Sequence, residues 1–176
     1  MDELVDYYDQ NGQIIGQCTR EEAEDKNYTT PNAIIFVFTP DNKVIIQKRA
    51  QTKKHYPGLW DVSACGGLSS GEDALAAAER ELFEEIGIRC QLHFVERFMN
   101  SFPDETGSLT RCRYSHLYIG VAEPDTAHNH EVESVAVFPI DELEAEAKDR
   151  PQDFIPSFAL ELQKCADFYK KSLRSL

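Results

Sequence analysis

A mixed β-sheet with helices packed on both faces, an α/β architecture, is the fold class this sequence predicts. Three observations point there. Strand-like and helix-like stretches interleave without a strict βαβ rhythm. The run Ala33-Ile34-Ile35-Phe36-Val37-Phe38 is apolar throughout, as expected of a strand covered on both sides. A long segment after Asp73 carries an apolar arc of helical period and closes on Gly87. With 176 residues, no internal repeat and no linker-like tract, the chain is expected to form one domain, residues 1–176.

Each element has a local cause. Residues 6–17 centre on Asn11-Gly12, a hairpin-turn signal, so two short strands are expected there, followed by a short helix capped by Thr19; together they span about 4–27. After the apolar strand 33–38, Pro40-Asp41-Asn42-Lys43 turns the chain, and Val44–Gln47 runs back. Gly71-Glu72-Asp73 opens the long helix. Residues 88–98, 111–121 and 132–138 read as strands. Asp141 is placed to cap a short helix, and a last helix is expected from Pro156 to Leu173, with the proline in its first turn.

Composition narrows the function classes. Hydrophobic residues make up 41% and charged residues 28%, which excludes a disordered or collagen-like chain. The net charge of −13 argues against a nucleic acid polymer or an anionic membrane as partner. No apolar run approaches the ~18 residues of a membrane span, and the acidic start Met1–Asp6 lacks a signal-peptide core. Five cysteines without a C-x-x-C pair fit reduced thiols, and a cytoplasmic location is expected.

The informative segment is residues 66–88. On a helical wheel Leu75, Ala78, Leu82 and Ile86 share an arc that can face the core, while Glu81, Glu84 and Glu85 share another. Three carboxylates within one turn repel one another, and a hard divalent cation would reverse that sign. The glycine-rich stretch Gly66-Gly67-Leu68-Ser69-Ser70-Gly71 lets backbone approach the same place.

The spacing Gly66-x5-Glu72-x7-Arg80-Glu81-Leu82-x-Glu84-Glu85-x-Gly87-Ile88 resembles a complete Nudix box. The resemblance implies an α/β/α sandwich around a mixed sheet. It implies hydrolysis of a diphosphate linkage in a nucleoside diphosphate derivative or a related organic diphosphate, with Mg²⁺ as cofactor and Mn²⁺ as a substitute. Glu81, Glu84 and Glu85 would carry the metal, one of them assisting the attacking water. Arg80 would pair with a box carboxylate, and Glu72 would brace the loop or join the metal shell, with Gly66 and Gly87 as structural positions. Because the motif glycine is Gly66, the first of the Gly66-Gly67 pair, the loop is expected to be one residue shorter than in the commoner form.

The preceding stretch, Gln47 to Asp61, resembles the isopentenyl-diphosphate-isomerase-like branch of the superfamily, in which the positions of Arg49 and Lys53 hold the substrate diphosphate. Trp60 is expected in the core or a pocket wall. Cys65 falls where the isomerase places its catalytic cysteine, so isomerisation is an alternative function. Two departures favour the hydrolase. Gly67 stands where the isomerase has a metal-binding histidine, with no histidine before His55, and the box glutamates are whole. A non-catalytic nucleotide-sensing Nudix domain is the other alternative.

Family layout points to one more acid from outside the box. Glu131 is the first choice as an additional metal ligand, ahead of Glu133, Asp104 and Glu105. His128 and His130 read as surface residues. Pro103 occupies about the place of a proline in ADP-ribose-cleaving relatives. Phe98, Phe102, Tyr114 and Tyr118 are either a stacking wall for a base or ordinary sheet residues. Substrate choice is expected to lie in loops 99–110 and 123–131, and the N-terminal hairpin could pair with a second copy in a homodimer.

Overall fold

The structure is a computed structural model describing residues 3–125 and 127–172. It opens with an antiparallel hairpin of β1 (Leu4–Tyr8) and β2 (Ile14–Thr19). Its turn holds Gly12 at φ 75°, and the Asp9 carboxylate accepts from the backbone N–H of Asn11 and Gln13 at 2.8 and 2.9 Å. Thr19 caps α1 (Arg20–Asp25), its Oγ1 accepting from Glu22 N–H at 3.1 Å.

The main sheet is built around β3 (Thr30–Phe38). One edge of β3 runs parallel to β8 (Thr110–Val121) along its whole length, and β8 continues antiparallel to β7 (Leu92–Pro103). The other edge changes partner. Val37 and Phe38 pair with β4 (Lys43–Arg49), whereas Asn32–Ile35 pair with β6 (Ala64–Gly67). Past that change, β4 is flanked by β5 (Trp60–Asp61) and by β9 (Val132–Pro139). The sheet is therefore split between β4 and β6, and the split is where side chains from both faces gather.

Alternation along β3 sends successive residues to opposite faces. Ile34, Phe36 and Phe38 pack with Leu117 and Ile119 against α3 (Ile140–Asp149) and α4 (Phe158–Ser172). Ala33, Ile35 and Val37 pack with Tyr118 against α2 (Ala74–Ile86). Mixed pairing with helices on both faces is the expected class.

Several element readings need correction. Gly66 and Gly67 are not loop residues; they lie in β6, paired with Ala33 and Asn32, because close approach of α2 and α1 side chains needs bare backbone there. The short β5 adds a strand that the sequence does not signal, because two residues carry no period. β7 starts at Leu92 rather than Ile88 and runs on to Pro103; Ile88 is buried, but in the connection leaving the helix. Leu75 lies on the apolar arc yet is 39% exposed, since it sits in the first turn of α2 and burial begins only at Ala77. Asp141 does not cap α3: Pro139 holds the N-cap position without a side-chain bond, and Asp141 lies inside the first turn. Pro156 precedes α4, which starts at Phe158; Leu173 lies outside the described residues.

The box helix has clear stops. Asp73 accepts from Leu75 and Ala76 N–H at 3.0 and 3.1 Å, and Gly87, at φ 72°, closes the helix with its N–H on Phe83 O at 3.0 Å.

Candidate active site

The α2 face of the split carries the box residues. Arg80 lies at the centre of a charge network: its Nε and Nη2 donate to the two Glu72 oxygens at 3.1 and 3.2 Å, and its Nη1 donates to Glu81 Oε1 at 2.6 Å. Nη2 also approaches Gly67 O at 3.4 Å, and Glu84 Oε2 lies 3.5 Å from Nη1. Glu72 in turn accepts from Ser69 N–H at 2.9 Å, tying the 68–71 loop to the helix. Although burial pushes Glu72 upward, the guanidinium and this N–H outweigh it, and its carboxyl stays below the usual range.

Glu81 lies over Gly66. A Cβ at Gly66 would fall 1.9 Å from Glu81 Cδ, so any side chain there would expel the carboxylate. Glu85 is buried at 4% exposure, and its Oε2 accepts from Cys65 N–H at 2.9 Å and Gln47 Nε2 at 2.7 Å. Burial pushes Glu85 up to about 8, with the Asp61 charge adding to the rise. Glu81 is also raised by burial, opposed by Arg80. These two acids are thus poorly stabilised as anions by protein alone.

The structure brings Glu81 and Glu85 to the β6 edge but leaves Glu84 on the exposed flank of α2. Among the described residues, no three acid, histidine or cysteine side chains converge closely enough to enclose a metal ion. Glu131 is bonded to Lys53, and that ammonium holds its carboxyl below the usual range. Arg49 is mostly buried; its Nη1 meets Asp61 Oδ2 at 2.7 Å and its Nε donates to His55 O at 3.0 Å. In donor chemistry the acids fit a hard divalent cation: carboxylate oxygens, two of them destabilised by burial, beside a glycine that leaves room. In this arrangement their oxygens are turned to Arg80, Gln47 and Cys65 N–H instead.

The remaining candidates scatter. Glu133 accepts from Lys48 and Gln51 at 3.0 and 3.1 Å. Asp104 organises its own turn, accepting from Ser108 and Leu109 N–H at 3.1 and 3.3 Å. Glu105 Oε1 lies 2.8 Å from His55 Nδ1, whose other ring nitrogen meets Glu24, so His55 joins α1 to the β7–β8 loop. His128 and His130 are both exposed, as expected, His130 at the rim of a cavity with Lys53 and Glu131. Tyr118 packs on the α2 side, Tyr114 against Tyr8 of the hairpin and Phe98 against the α3–α4 core, while Phe102 lines a cavity in this region.

Three adjoining cavities surround the split and share His55. One, of about 240 Å³, reaches Cys65, Gly66 and Gly67 from the hairpin side. A second, of about 170 Å³, lies between β8 and α4 and includes Cys65, Arg111, Arg113 and Glu161. The third, of about 420 Å³, is open and basic, with Arg49, Lys53 and Lys54. Sequence reasoning missed Arg111, Arg113 and Glu161. Strand alternation alone places Arg111 and Arg113 on one face, which was the available signal.

The NUDIX domain family matches residues 28–158. This chain belongs to the Nudix family. The isopentenyl-diphosphate Delta-isomerase of Pectobacterium atrosepticum is 28% identical to it over 168 residues, covering 92% of this chain and 90% of that protein. The enzyme of the same name from Halorhodospira halophila is 36% identical over 124 residues, 70% of this chain and 71% of that one. An uncharacterized Nudix hydrolase of Pseudomonas aeruginosa is 33% identical over 111 residues, 62% of this chain and 64% of that one. Among solved structures, DR0079 from Deinococcus radiodurans superposes with a TM-score of 0.76 at 18% identity, covering 93% of this chain and 99% of that one. The Nudix fold is thereby established, together with relatives of both the isomerase-like and the hydrolase kind. The N-terminal hairpin and most of α4 lie outside the family match, yet both contribute to the cavities around the split.

Proposed function

We propose that this Nudix protein hydrolyses a diphosphate linkage in a nucleoside diphosphate derivative or a related organic diphosphate, with Mg²⁺ as its cofactor. The observation that carries the reading is the pair Glu81 and Glu85, half-buried and buried, seated at the β6 edge against Gly66 and Cys65 N–H. Glu81, Glu84 and Glu85 would hold the cation, with Glu131 as a further acid. The bound cation would supply charge neutralisation for the phosphoryl oxygens and lower the pKa of water.

The chain's own residues do the rest. Arg80, fixed by the Glu72 fork, sets the orientation of Glu81. Gln47 and Cys65 N–H hold Glu85 in one position, so that its carboxylate is preorganised rather than mobile. Lys53 and the open basic cavity attract the diphosphate; Lys53 would exchange Glu131 for substrate oxygen. No covalent intermediate is needed.

A second reading is isopentenyl-diphosphate isomerisation, favoured by the two isomerase relatives and by Cys65 lining two of the cavities. Burial, together with the charges of Asp61 and Glu161, pushes the Cys65 thiol well above its usual value, which suits a proton donor better than a thiolate. A Mg²⁺-dependent screen over nucleoside di- and triphosphates, dinucleotides, nucleotide sugars and prenyl diphosphates separates the readings. Release of a monophosphate or inorganic phosphate supports hydrolysis. Interconversion of isopentenyl and dimethylallyl diphosphates, lost in Cys65→Ala, overturns it. Binding without turnover makes the domain a sensor.

A further inference from the structure

The cavity between β8 and α4 holds charge that the proposed chemistry does not use. Arg111 and Arg113 are two residues apart on β8, so their side chains leave the same face of the sheet. The register identifies that face. Arg113 pairs with Thr30 and Asn100, and Arg111 with Phe102. Asn100 donates to Glu161 of α4 at 2.7 Å, and Ile34, four pairs along from Thr30 and so on the same face, packs in the α3–α4 core. The two guanidinium groups therefore face α4, on the opposite side of the sheet from Glu81.

Both arginines are half-buried, and neither has an acid partner within ion-pair distance among the described residues. Arg113 donates only to Cys112 O, at 3.1 Å. Arg111 Nε is buried without a hydrogen-bond partner. The nearby acids are engaged elsewhere: Asp61 is committed to Arg49, Glu161 is held by Asn100, and Glu105 and Glu24, whose charges reach Arg111 and Arg113 only beyond ion-pair distance, are bound to His55. Two desolvated cations side by side are costly in any fold, and here they sit in a chain of net charge −13, where acids for pairing are abundant. Beside them is an apolar wall, with Tyr56 and Phe102 edge to face at 6.4 Å, next to Pro156. Tyr56 stays at φ 50°, a strained value for a non-glycine residue, and its hydroxyl donates to Pro103 O at 2.6 Å.

We propose that Arg111 and Arg113 form a receptor for an anionic group, a phosphate or a carboxylate, carried by the part of the substrate beyond the scissile diphosphate. A planar guanidinium pair matches the oxygens of either group, and Tyr56 and Phe102 cover the apolar atoms next to it. The cleft reaches both sites because Cys65 and Arg113 line the cavity that also touches Gly66 and Gly67. Its place beyond a cleaved diphosphate rests on the hydrolase reading; the receptor itself does not.

The test is calorimetric titration of the metal-free full chain with inorganic phosphate and, separately, acetate. Saturable binding of one or both is expected, weakened at least about tenfold in Arg111→Gln/Arg113→Gln and unchanged in Arg89→Gln, a surface cation stacked on Phe83. The double lysine variant keeps charge without the fork and should bind at an intermediate level. The glutamine variant should also melt at a higher temperature than wild type, because it loses uncompensated buried charge; a merely structural pair would lower it. Phosphate binding alone identifies a phosphate receptor, and acetate binding as well a carboxylate-tolerant one. No saturable binding, or equal binding by the glutamine variant, overturns the proposal. If phosphate binds as expected while the diphosphate screen yields no hydrolysis, the receptor stands and the hydrolase reading falls.

Discussion

The two faces of the split sheet handle charge in opposite ways. On the α2 face, Arg80, Glu72, Glu81 and Glu84 come from one stretch of sequence, and the three carboxylates share a single guanidinium as their partner. On the α4 face, Arg111, Arg113 and Glu161 come from a strand and a distant helix, and they are left without direct counterions. The contrast teaches that a motif compact in sequence brings its own partners: Arg80 meets the adjacent Glu81, Glu84 one turn on, and Glu72 just before the helix. A site assembled across the fold depends on what enters it.

The largest expected effect tests the α2 face. Glu85→Gln should lower turnover of a confirmed diphosphate substrate by two orders of magnitude or more, with Glu84→Gln somewhat less severe. Thermal stability should be kept, because the amide still reaches Gln47 or Cys65 N–H. Full activity in both variants, measured by steady-state kinetics, would move the chemistry away from this helix.

Next comes Gly66→Ala. The new methyl would meet Glu81 Cδ at 1.9 Å, so Glu81 must leave its seat. A loss of roughly tenfold or more in activity is expected, with a stability cost of about 1–3 kcal/mol by chemical denaturation. An active, stable variant would mean that Glu81 works from elsewhere.

A pH experiment sharpens the α4 side. Burial, aided by the Asp61 charge, pushes Glu161 up to about 7 from 4.5. A raised acid favours its protonated form in the folded state. Its stabilising contribution is therefore complete below about 4.5 and is lost as pH rises through about 7. Glu161→Gln should match wild type in acid and exceed it above neutrality, by on the order of 1–3 kcal/mol. Denaturation curves that stay parallel across that window would place Glu161 in a better solvated or better paired setting.

The smallest effect belongs to Lys53. Its pair with Glu131 is part-exposed, so Lys53→Ala should cost under about 1 kcal/mol in stability. It should raise KM several-fold while kcat changes little, if the residue acts as a phosphate lure. A kcat loss with unchanged KM would assign it to the chemical step instead.

What the sequence determined by itself was local. The class of fold and the box helix with its Asp73 and Gly87 stops follow from period and end signals that span fewer than two dozen residues, while the pairing of Arg80 with a box carboxylate followed from the resemblance to the Nudix box. The bounds of β7, the exposure of Leu75 and the strand character of Gly66-Gly67 did not. They depend on where the sheet ends and which strand lies beside β3. Only the tertiary structure decided that Lys53 meets Glu131, that Glu84 faces outward, and that Arg111 and Arg113 share a cavity with Glu161. The physical reason is range. A helix turn is set by hydrogen bonds between near neighbours, whereas the partner of a strand residue is chosen by packing between segments about eighty residues apart, as Thr30 and Arg113 are, which no local period encodes.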